Sequence, residues 1–281
     1  MNGPWFSLNG ELKPLGEATI GADDLAFAYG FGVYETLKVR AGVVHFAPLH
    51  EQRLWHSAAI LHLEHPWKTG DFARFVQALV AANGVSDANL KALLIGGNTT
   101  SEARLYLMCL NPLFPDRKNY SQGGSAITWE GERLYPQAKS LNMLTSFLAY
   151  REAKNRGSYD ALLVNRRGEA TEGTRTNLFV TDGHRIFTPP ASEVLEGVTK
   201  LTVQHVIREM GIELLERPLP ALELSHWSGV FLTSTSTKVM PLALIDDKPV
   251  ALSPVVRTLM KAYDTFLKRY QAGEVPDDAI R

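Results

Sequence analysis

Cysteine is almost missing from this 281-residue chain, and so are long apolar runs and any large excess of charge of one sign. Each absence excludes something. With Cys109 as the single cysteine, no disulfide can form within the chain and no multi-cysteine metal site can be built. No apolar run approaches the roughly 20 residues that a membrane-spanning helix needs. The net charge of −1, with lysines and arginines scattered along the chain, gives no electrostatic footprint for nucleic acid or a membrane surface. The first residues, Met1-Asn2-Gly3-Pro4-Trp5, carry neither a basic stretch nor an apolar core, so no secretory signal is read there and a cytoplasmic protein is expected. Histidines are present, but His50 and His56 sit six apart on a helix, on different faces, with no carboxylates at ligand spacing, and His45, His62 and His65 are no better placed. No metal is expected.

What is present is an ordinary soluble balance, 45% apolar and 21% charged, on a chain long enough for one large or two moderate cores. Residues 33–39 alternate as a strand, with Tyr34, Thr36 and Lys38 on one face and Glu35, Leu37 and Val39 on the other. Ala41-Gly42 reads as a turn into a short strand at 43–46. Helical periodicity follows at 49–61, with Leu49, Leu54, Ala58 and Leu61 in one stripe, and again at 71–82, ended by Asn83-Gly84. Strands are expected at 90–95 and 105–110, the second burying Cys109. The aperiodic, proline- and glycine-rich stretch 111–124 is the best boundary. It divides a small domain, 1–113, from a larger one, 123–281, through a loop at 114–122. Helices are expected at 144–156, 200–210 and 254–271 within the larger domain, and 274–281 reads as a frayed tail.

The chemistry is carried by a lysine and a carboxylate. Lys139 stands in Ala138-Lys139-Ser140-Leu141-Asn142, and Glu172 in Thr171-Glu172-Gly173-Thr174-Arg175-Thr176-Asn177. Amine chemistry on pyridoxal phosphate needs one lysine to hold the cofactor aldehyde as a Schiff base. It also needs one carboxylate to keep the pyridine nitrogen protonated, so that the ring accepts electrons.

Further motifs accompany the pair: Gly30-Phe31-Gly32-Val33-Tyr34-Glu35-Thr36, His50-Glu51-Gln52-Arg53-Leu54, Tyr159-Asp160-Ala161-Leu162-Leu163, Asn177-Leu178-Phe179, Thr188-Pro189-Pro190, Leu195-Glu196-Gly197-Val198-Thr199 and Phe231-Leu232-Thr233-Ser234-Thr235. In order and spacing, over nearly the whole chain, these resemble the class IV aminotransferases, the fold-type IV branch of pyridoxal-phosphate enzymes. That branch includes D-amino-acid transaminases, branched-chain aminotransferases, (R)-selective amine transaminases and aminodeoxychorismate lyases. The resemblance implies an α+β, two-domain fold, with a small N-terminal α/β domain and a larger C-terminal domain whose β-barrel-like core is flanked by helices. It implies pyridoxal 5'-phosphate as cofactor, an amino donor and a 2-oxo acid acceptor as substrates, and a homodimer whose partner completes the cleft. Lys139 is then the catalytic amine and proton shuttle, and Glu172 the partner of the ring nitrogen. Leu195 packs on the ring, Arg53 and Thr235 with Ser234 hold the phosphate, and Tyr34 faces the substrate. Gly197, Val198 and Thr199 open a helix whose free amides and dipole suit the same phosphate.

The resemblance breaks at the substrate. D-amino-acid transaminases of the well-known kind carry an Arg-x-His pair in the loop that here reads Gly96-Gly97-Asn98-Thr99-Thr100-Ser101-Glu102, which lacks it. Branched-chain enzymes usually have an aromatic residue where this chain has Met143. Arg175, beside Glu172, is a candidate for the substrate carboxylate, and Lys38 and Arg40 are further candidates. Lys139-Ser140-Leu141-Asn142 and Thr233-Ser234-Thr235 lean toward the D-amino-acid or (R)-amine branch, with branched-chain L-amino acids and a lyase as the alternatives.

Overall fold

The computed structural model describes residues 1–112 and 116–280, and by contact the chain divides into two compact units. The first comprises residues 1–112 with Ala138–Asn142; the second comprises residues 116–137 and 143–280. Residues 113–115, within the boundary segment read from sequence, and Arg281 lie outside the described residues.

The first unit runs β1 (Trp5–Leu8), β2 (Glu11–Pro14), α1 (Leu25–Ala28), β3 (Gly32–Arg40), β4 (Val43–Val44), α2 (Ala47–Ile60), α3 (Asp71–Asn83), β5 (Ala88–Ile95) and β6 (Arg104–Leu110). Its strands form one antiparallel sheet in the order β2-β1-β6-β5-β3-β4. Ala41 and Gly42 both take positive φ, 49° and 76°, as a two-residue hairpin matched to the strand twist requires. Alternation along β3 decides what each sheet face carries. Val33, Leu37 and Val39 pack with Leu54 and Ala58 of α2 and with Phe72, Val76 and Leu79 of α3. Tyr34 falls in a separate cluster with Leu93, Tyr106 and Leu141. Glu35 keeps the register of Val33 and Leu37, so β3 carries a carboxylate into the core.

The buried stripe of α2 is Ala47, His50, Glu51, Leu54, Ser57 and Ala58, and half of it is polar. Glu51 is accounted for by α3: its carboxylate accepts from Gly70 N at 2.9 Å and Phe72 N at 3.0 Å, placing an anion at that helix's start. The segment Ala138–Asn142 adds to the free edge of β3. Tyr34 N donates to Lys139 O at 2.9 Å, and Leu141 N donates to Gly32 O at 2.8 Å. Position 32 must be glycine for this approach, since a Cβ there would lie 2.6 Å from Leu94 O and 2.7 Å from Leu141 Cδ1.

The second unit contains α4 (Arg117–Gln122), β7 (Gly124–Glu130), α5 (Leu144–Asn155), β8 (Asp160–Val164), β9 (Ala170–Gly173), β10 (Asn177–Thr181), β11 (Ile186–Thr188), α6 (Val198–Glu209), β12 (Leu214–Glu216), β13 (Gly229–Ser234), β14 (Lys238–Ile245), β15 (Lys248–Pro249) and α7 (Pro254–Gln271). Residues 117–122, expected as loop, are thus helical. Strands pair in the order β10-β13-β14-β7-β8-β9, and β9 pairs back onto β10, closing a six-stranded barrel. Closure leaves those strands without edges. β11 and β12 extend from β10, and β15 from β14. The barrel's core includes Leu162, Leu178, Val180, Leu232, Met240 and Leu242. Outside it, α7 buries Val256, Leu259, Tyr263, Phe266 and Tyr270 at helical spacing.

The end of the chain is a correction. Val275 and Ile280 are buried, and Tyr270 OH donates to Asp277 Oδ1 at 2.9 Å, so two apolar anchors dock a segment that composition reads as frayed. Among the described residues no helix is long and apolar enough to cross a membrane.

Candidate active site

In the first unit, Lys139 is fixed by its backbone before its side chain is considered. Its N–H donates to Ser57 Oγ of α2 at 3.0 Å, and its carbonyl accepts from β3. The ammonium lies over the Tyr34 ring, 4.4 Å from the centroid, where the ring face attracts a cation. Tyr34 and Lys139, separated by more than a hundred positions, are therefore neighbours. Lys38, two pleats along β3 from Tyr34, is buried and not at the surface.

Arg53 does not point out with a vacant fork. Its Nε donates to Glu35 Oε1 at 2.6 Å and its Nη2 to Glu35 Oε2 at 2.7 Å, while His50 Nδ1 lies 2.7 Å from Glu35 Oε2. Burial alone would raise the carboxyl pKa of Glu35. The Arg53 and His50 contacts outweigh it and hold Glu35 well below the usual carboxylate range. Burial, helped by the nearby Arg53 and Lys139 charges, lowers His50 despite Glu35, so its imidazole is neutral and donates from Nδ1.

Also in the first unit, a cavity of about 1020 Å³ is lined by residues including Asp24, Tyr29, Phe31, Asn98, Glu102 and Arg104. Its arginine is tied to Asp24 at 2.5 Å, and Asp24 also caps α1 by accepting from Phe27 N at 3.0 Å.

The second unit gathers the other half of the expected residues. Glu172 on β9 pairs across the barrel closure with Asn177 on β10, which pairs in turn with Thr233 on β13. Direct cross-strand partners share a face, so these three side chains form one row. Glu172 Oε1 accepts from Arg133 Nε at 2.7 Å and Oε2 from Leu195 N at 3.2 Å. Arg133 Nη2 also donates to Pro136 O. Asn177 Nδ2 donates to Leu195 O at 2.7 Å, so Leu195 is held from both sides of its peptide. A Cβ at Gly197 would lie 2.1 Å from Asn177 Oδ1, which leaves glycine as the residue that fits there.

Gly197 caps α6 without a side-chain bond, so the amides of Val198 and Thr199 open the helix unshielded. The Thr199 hydroxyl turns toward Tyr263 OH, which also meets Thr202 Oγ1 at 2.9 Å, so Thr199 offers its backbone. Ser234 ends β13 with its Oγ 2.7 Å from Thr237 Oγ1, and Thr235 sits in the tight turn between them. Lys200 is buried with no hydrogen-bond partner for its side-chain nitrogen among the described residues, and burial lowers its pKa against the opposing pull of Glu216, Glu196 and Glu172. These features suit pyridoxal phosphate: uncapped amides and hydroxyls for a dianion, and a buried carboxylate with unused lone pairs for a ring N–H.

Arg175 stands in the turn from β9 to β10, exposed, with its guanidinium 3.8 Å from the centroid of the Tyr150 ring on α5. It makes no hydrogen bond or ion pair among the described residues. Three functional candidates escape sequence reading: Arg133, Glu35 and His50. Glu35 alone left a signal there, as a carboxylate in the apolar register of β3.

Residues 32–245 match the family model described as amino-transferase class IV. A D-alanine aminotransferase of Bacillus licheniformis is 28% identical over 90% of this chain and 94% of its own length. A putative branched-chain-amino-acid aminotransferase of Methanocaldococcus jannaschii is also 28% identical, over 92% and 94%. Among solved structures, a hypothetical aminotransferase from Mycobacterium tuberculosis superposes with a TM-score of 0.80 at 26% identity, covering 93% of this chain and 97% of that one. The branched-chain aminotransferase of Thermoproteus uzoniensis superposes at 0.87 over 97% and 96%; at 24% identity it speaks to the fold alone.

Proposed function

From the premise that this chain belongs to the class IV aminotransferases, enzymes that use pyridoxal phosphate, we propose that it is a transaminase of the D-amino-acid or (R)-amine type. When bound, the cofactor supplies an aldehyde that takes up an amino group and a ring that accepts electrons from the donor carbon. Lys139 is the amine that attaches it, and its Nζ takes and returns the proton of the substrate carbon. Glu172 holds a proton on the ring nitrogen, with Arg133 keeping that carboxylate in place. The amides of Val198 and Thr199, the Ser234 and Thr235 hydroxyls and Arg53 are the phosphate donors, and Leu195 covers the ring. Tyr34 and Lys38 border the substrate, and Arg175 receives its carboxylate.

The observation that carries this reading is Arg175: a stacked guanidinium with no acid of its own, three positions after Glu172. Amino-acid donors and 2-oxo acid acceptors share a carboxylate, and an uncommitted fork suits it. The Lys139–Asn142 and Thr233–Thr235 sequences support the D-type branch, and the Bacillus licheniformis relative agrees with it. The Methanocaldococcus jannaschii relative favours the second reading, branched-chain L-amino acids. An aminodeoxychorismate-type lyase uses the same lysine without an acceptor. Adding single amino acids of each hand to purified protein and following its visible band separates these: bleaching by D- but not L-amino acids is expected, and the reverse overturns the D-type reading. Lys139→Ala should remove the borohydride-fixed adduct; the adduct found on another lysine would reassign the amine.

The reading includes a homodimer in the cytoplasm. Leu144 and Phe147 are exposed one turn apart on α5, an apolar pair suited to contact with a second copy. A fully active monomer in light scattering contradicts the dimer.

A further inference from the structure

The β9–β10 turn is held far more firmly than a two-strand connection needs. Gly173 N donates to Thr176 O at 2.8 Å, closing the turn, and Thr174 N donates to Ala161 O of β8 at 3.1 Å. Beneath the turn lies Asp160, buried at the start of β8. Its Oδ1 accepts from Thr174 Oγ1 at 2.5 Å and from Ala161 N at 2.9 Å, and its Oδ2 accepts from Thr176 Oγ1 at 2.9 Å. A Cβ at Gly173 would come within 2.0 Å of Thr176 Oγ1 and 2.6 Å of Asp160 Oδ2, so the clamp fills the space that a side chain there would need. Thr174 and Thr176 are buried and Arg175 is exposed. The two hydroxyls pin the turn from below on either side of the arginine.

We propose that Asp160 is a positioning residue for substrate recognition: by fastening Thr174 and Thr176 it makes Arg175 present its guanidinium, stacked on Tyr150, to a substrate carboxylate. This rests on the reading of Arg175 given above. The stack uses the face of the guanidinium and leaves its edge, where all five N–H groups point, for an in-plane, two-point bond to a carboxylate. A flexible arginine would lose side-chain entropy on each binding event, whereas one fixed at the backbone and laid on a ring has already lost most of it. A carboxylate is an expensive way to anchor a turn, because burying it without a cation costs more than burying a neutral acceptor. Its use here fits a second effect, since the negative charge beneath the turn draws the Arg175 cation toward it.

The test compares alanine, as D and L forms, with 2-aminopropane, in which a methyl group replaces the carboxylate. Half-reactions of the holoenzyme are followed by the cofactor band, and the apparent Kd of unreactive propanoate is read from its perturbation of that band. Arg175→Ala and Asp160→Ala should each raise KM for alanine and Kd for propanoate about tenfold, with kcat and the 2-aminopropane reaction little changed. Asp160→Asn, which keeps an acceptor and the volume, should recover most of the loss. If Arg175→Ala shows this discrimination and Asp160→Ala does not, the clamp is not a positioning device, while the Arg175 reading stands. Equal losses on alanine and 2-aminopropane in Asp160→Ala, without rescue by Asn, also overturn it. No effect of Arg175→Ala removes the underlying reading and the proposal with it. Should Asp160→Ala fail to fold, Thr176→Val carries the test: the same selective pattern at roughly threefold is expected, and an unchanged alanine to 2-aminopropane ratio overturns the proposal.

Discussion

The first unit buries Glu35 against a two-pronged guanidinium and an imidazole, while the second buries Asp160 against two hydroxyls and two amides. Both carboxylates sit on strands, in the core register, with no room for water as a general solvent. Yet one is held below its ordinary pKa and the other is pushed above it. Burial acts on both in the same direction, so the difference lies in the partners: the two-pronged Arg53 guanidinium with His50 outweighs desolvation at Glu35, whereas the hydroxyl and amide donors and the more distant Arg175 do not at Asp160. Glu172, also in the second unit, is likewise paired with a guanidinium, that of Arg133, 2.7 Å away. Cations thus stand by Glu35 and Glu172, and the hydroxyl clamp on Asp160 stands under the turn.

Breaking a cation-paired carboxylate should give the largest effect. Arg133→Met leaves Glu172 buried without its guanidinium, which should cost about 3–5 kcal/mol in denaturant unfolding of the cofactor-free protein. Adding Glu172→Gln should recover most of that stability, since a neutral amide needs no cation. It should not recover activity: Glu172→Gln alone is expected to slow half-reactions roughly 10²-fold or more while cofactor still binds. Arg133→Met of wild-type stability would show that Glu172 is satisfied by Leu195 alone.

Next comes Glu35→Gln, expected to cost about 2–3 kcal/mol at neutral pH by loosening Arg53 and His50. Its sign with pH is fixed. A carboxyl whose folded pKa is depressed contributes stability above its unfolded value, near 4.5, and loses it as pH falls toward the folded value. The gap between wild type and Glu35→Gln should therefore close below about pH 4.5. A gap independent of pH would mean that the loss comes from packing.

Lys200 provides the mirror case, a buried amine with no hydrogen-bonded acid among the described residues. Lys200→Met should raise stability by about 1–3 kcal/mol at pH 7, because the thioether fills the space without desolvating a charge. A fall in stability would show that the ammonium has a partner in solution.

Much of this was legible in the sequence, and the rest was hidden for a physical reason. Lys139 and Glu172 are marked by their neighbours, and the helices at α2, α3, α6 and α7 by apolar period. Period 2 along β3 was enough to put Glu35 among Val33 and Leu37, and a carboxylate there demands a buried partner. What no period could supply was the partner's name. Arg53 reaches Glu35 from a different element, and Arg133 reaches Glu172 from a loop with no regular pattern. Docking of Val275 and Ile280 was lost because two apolar residues five apart among acidic ones leave no periodic signal. Lys200 continues the stripe of Val203 and Val206 one turn earlier, a sign of burial easily passed over as an ordinary helix start.

The smallest effect sharpens the contrast most, because it should run against Glu35 in its direction with pH. Asp160 has a folded pKa raised above its unfolded value, near 3.8, by burial that its hydroxyl and amide donors only partly offset. The stability such a group contributes is fully present below that unfolded value and is lost as pH rises through the folded one. As pH rises toward neutral the buried carboxyl is therefore a net cost. Asp160→Asn keeps the size of the side chain and its oxygen acceptor toward Thr174, and it replaces Oδ2 by a donor that Thr176 Oγ1 can accept. The variant should be about 1 kcal/mol more stable than wild type at pH 7, with the advantage shrinking as pH falls toward 4. Glu35→Gln should differ from wild type in the opposite sense across the same range. Unfolding free energies for both variants, measured at steps from pH 4 to pH 8, place the two curves side by side. If Asp160→Asn is destabilised at neutral pH and recovers in acid, the clamp depends on an ionised Asp160, and the contrast between the two carboxylates falls.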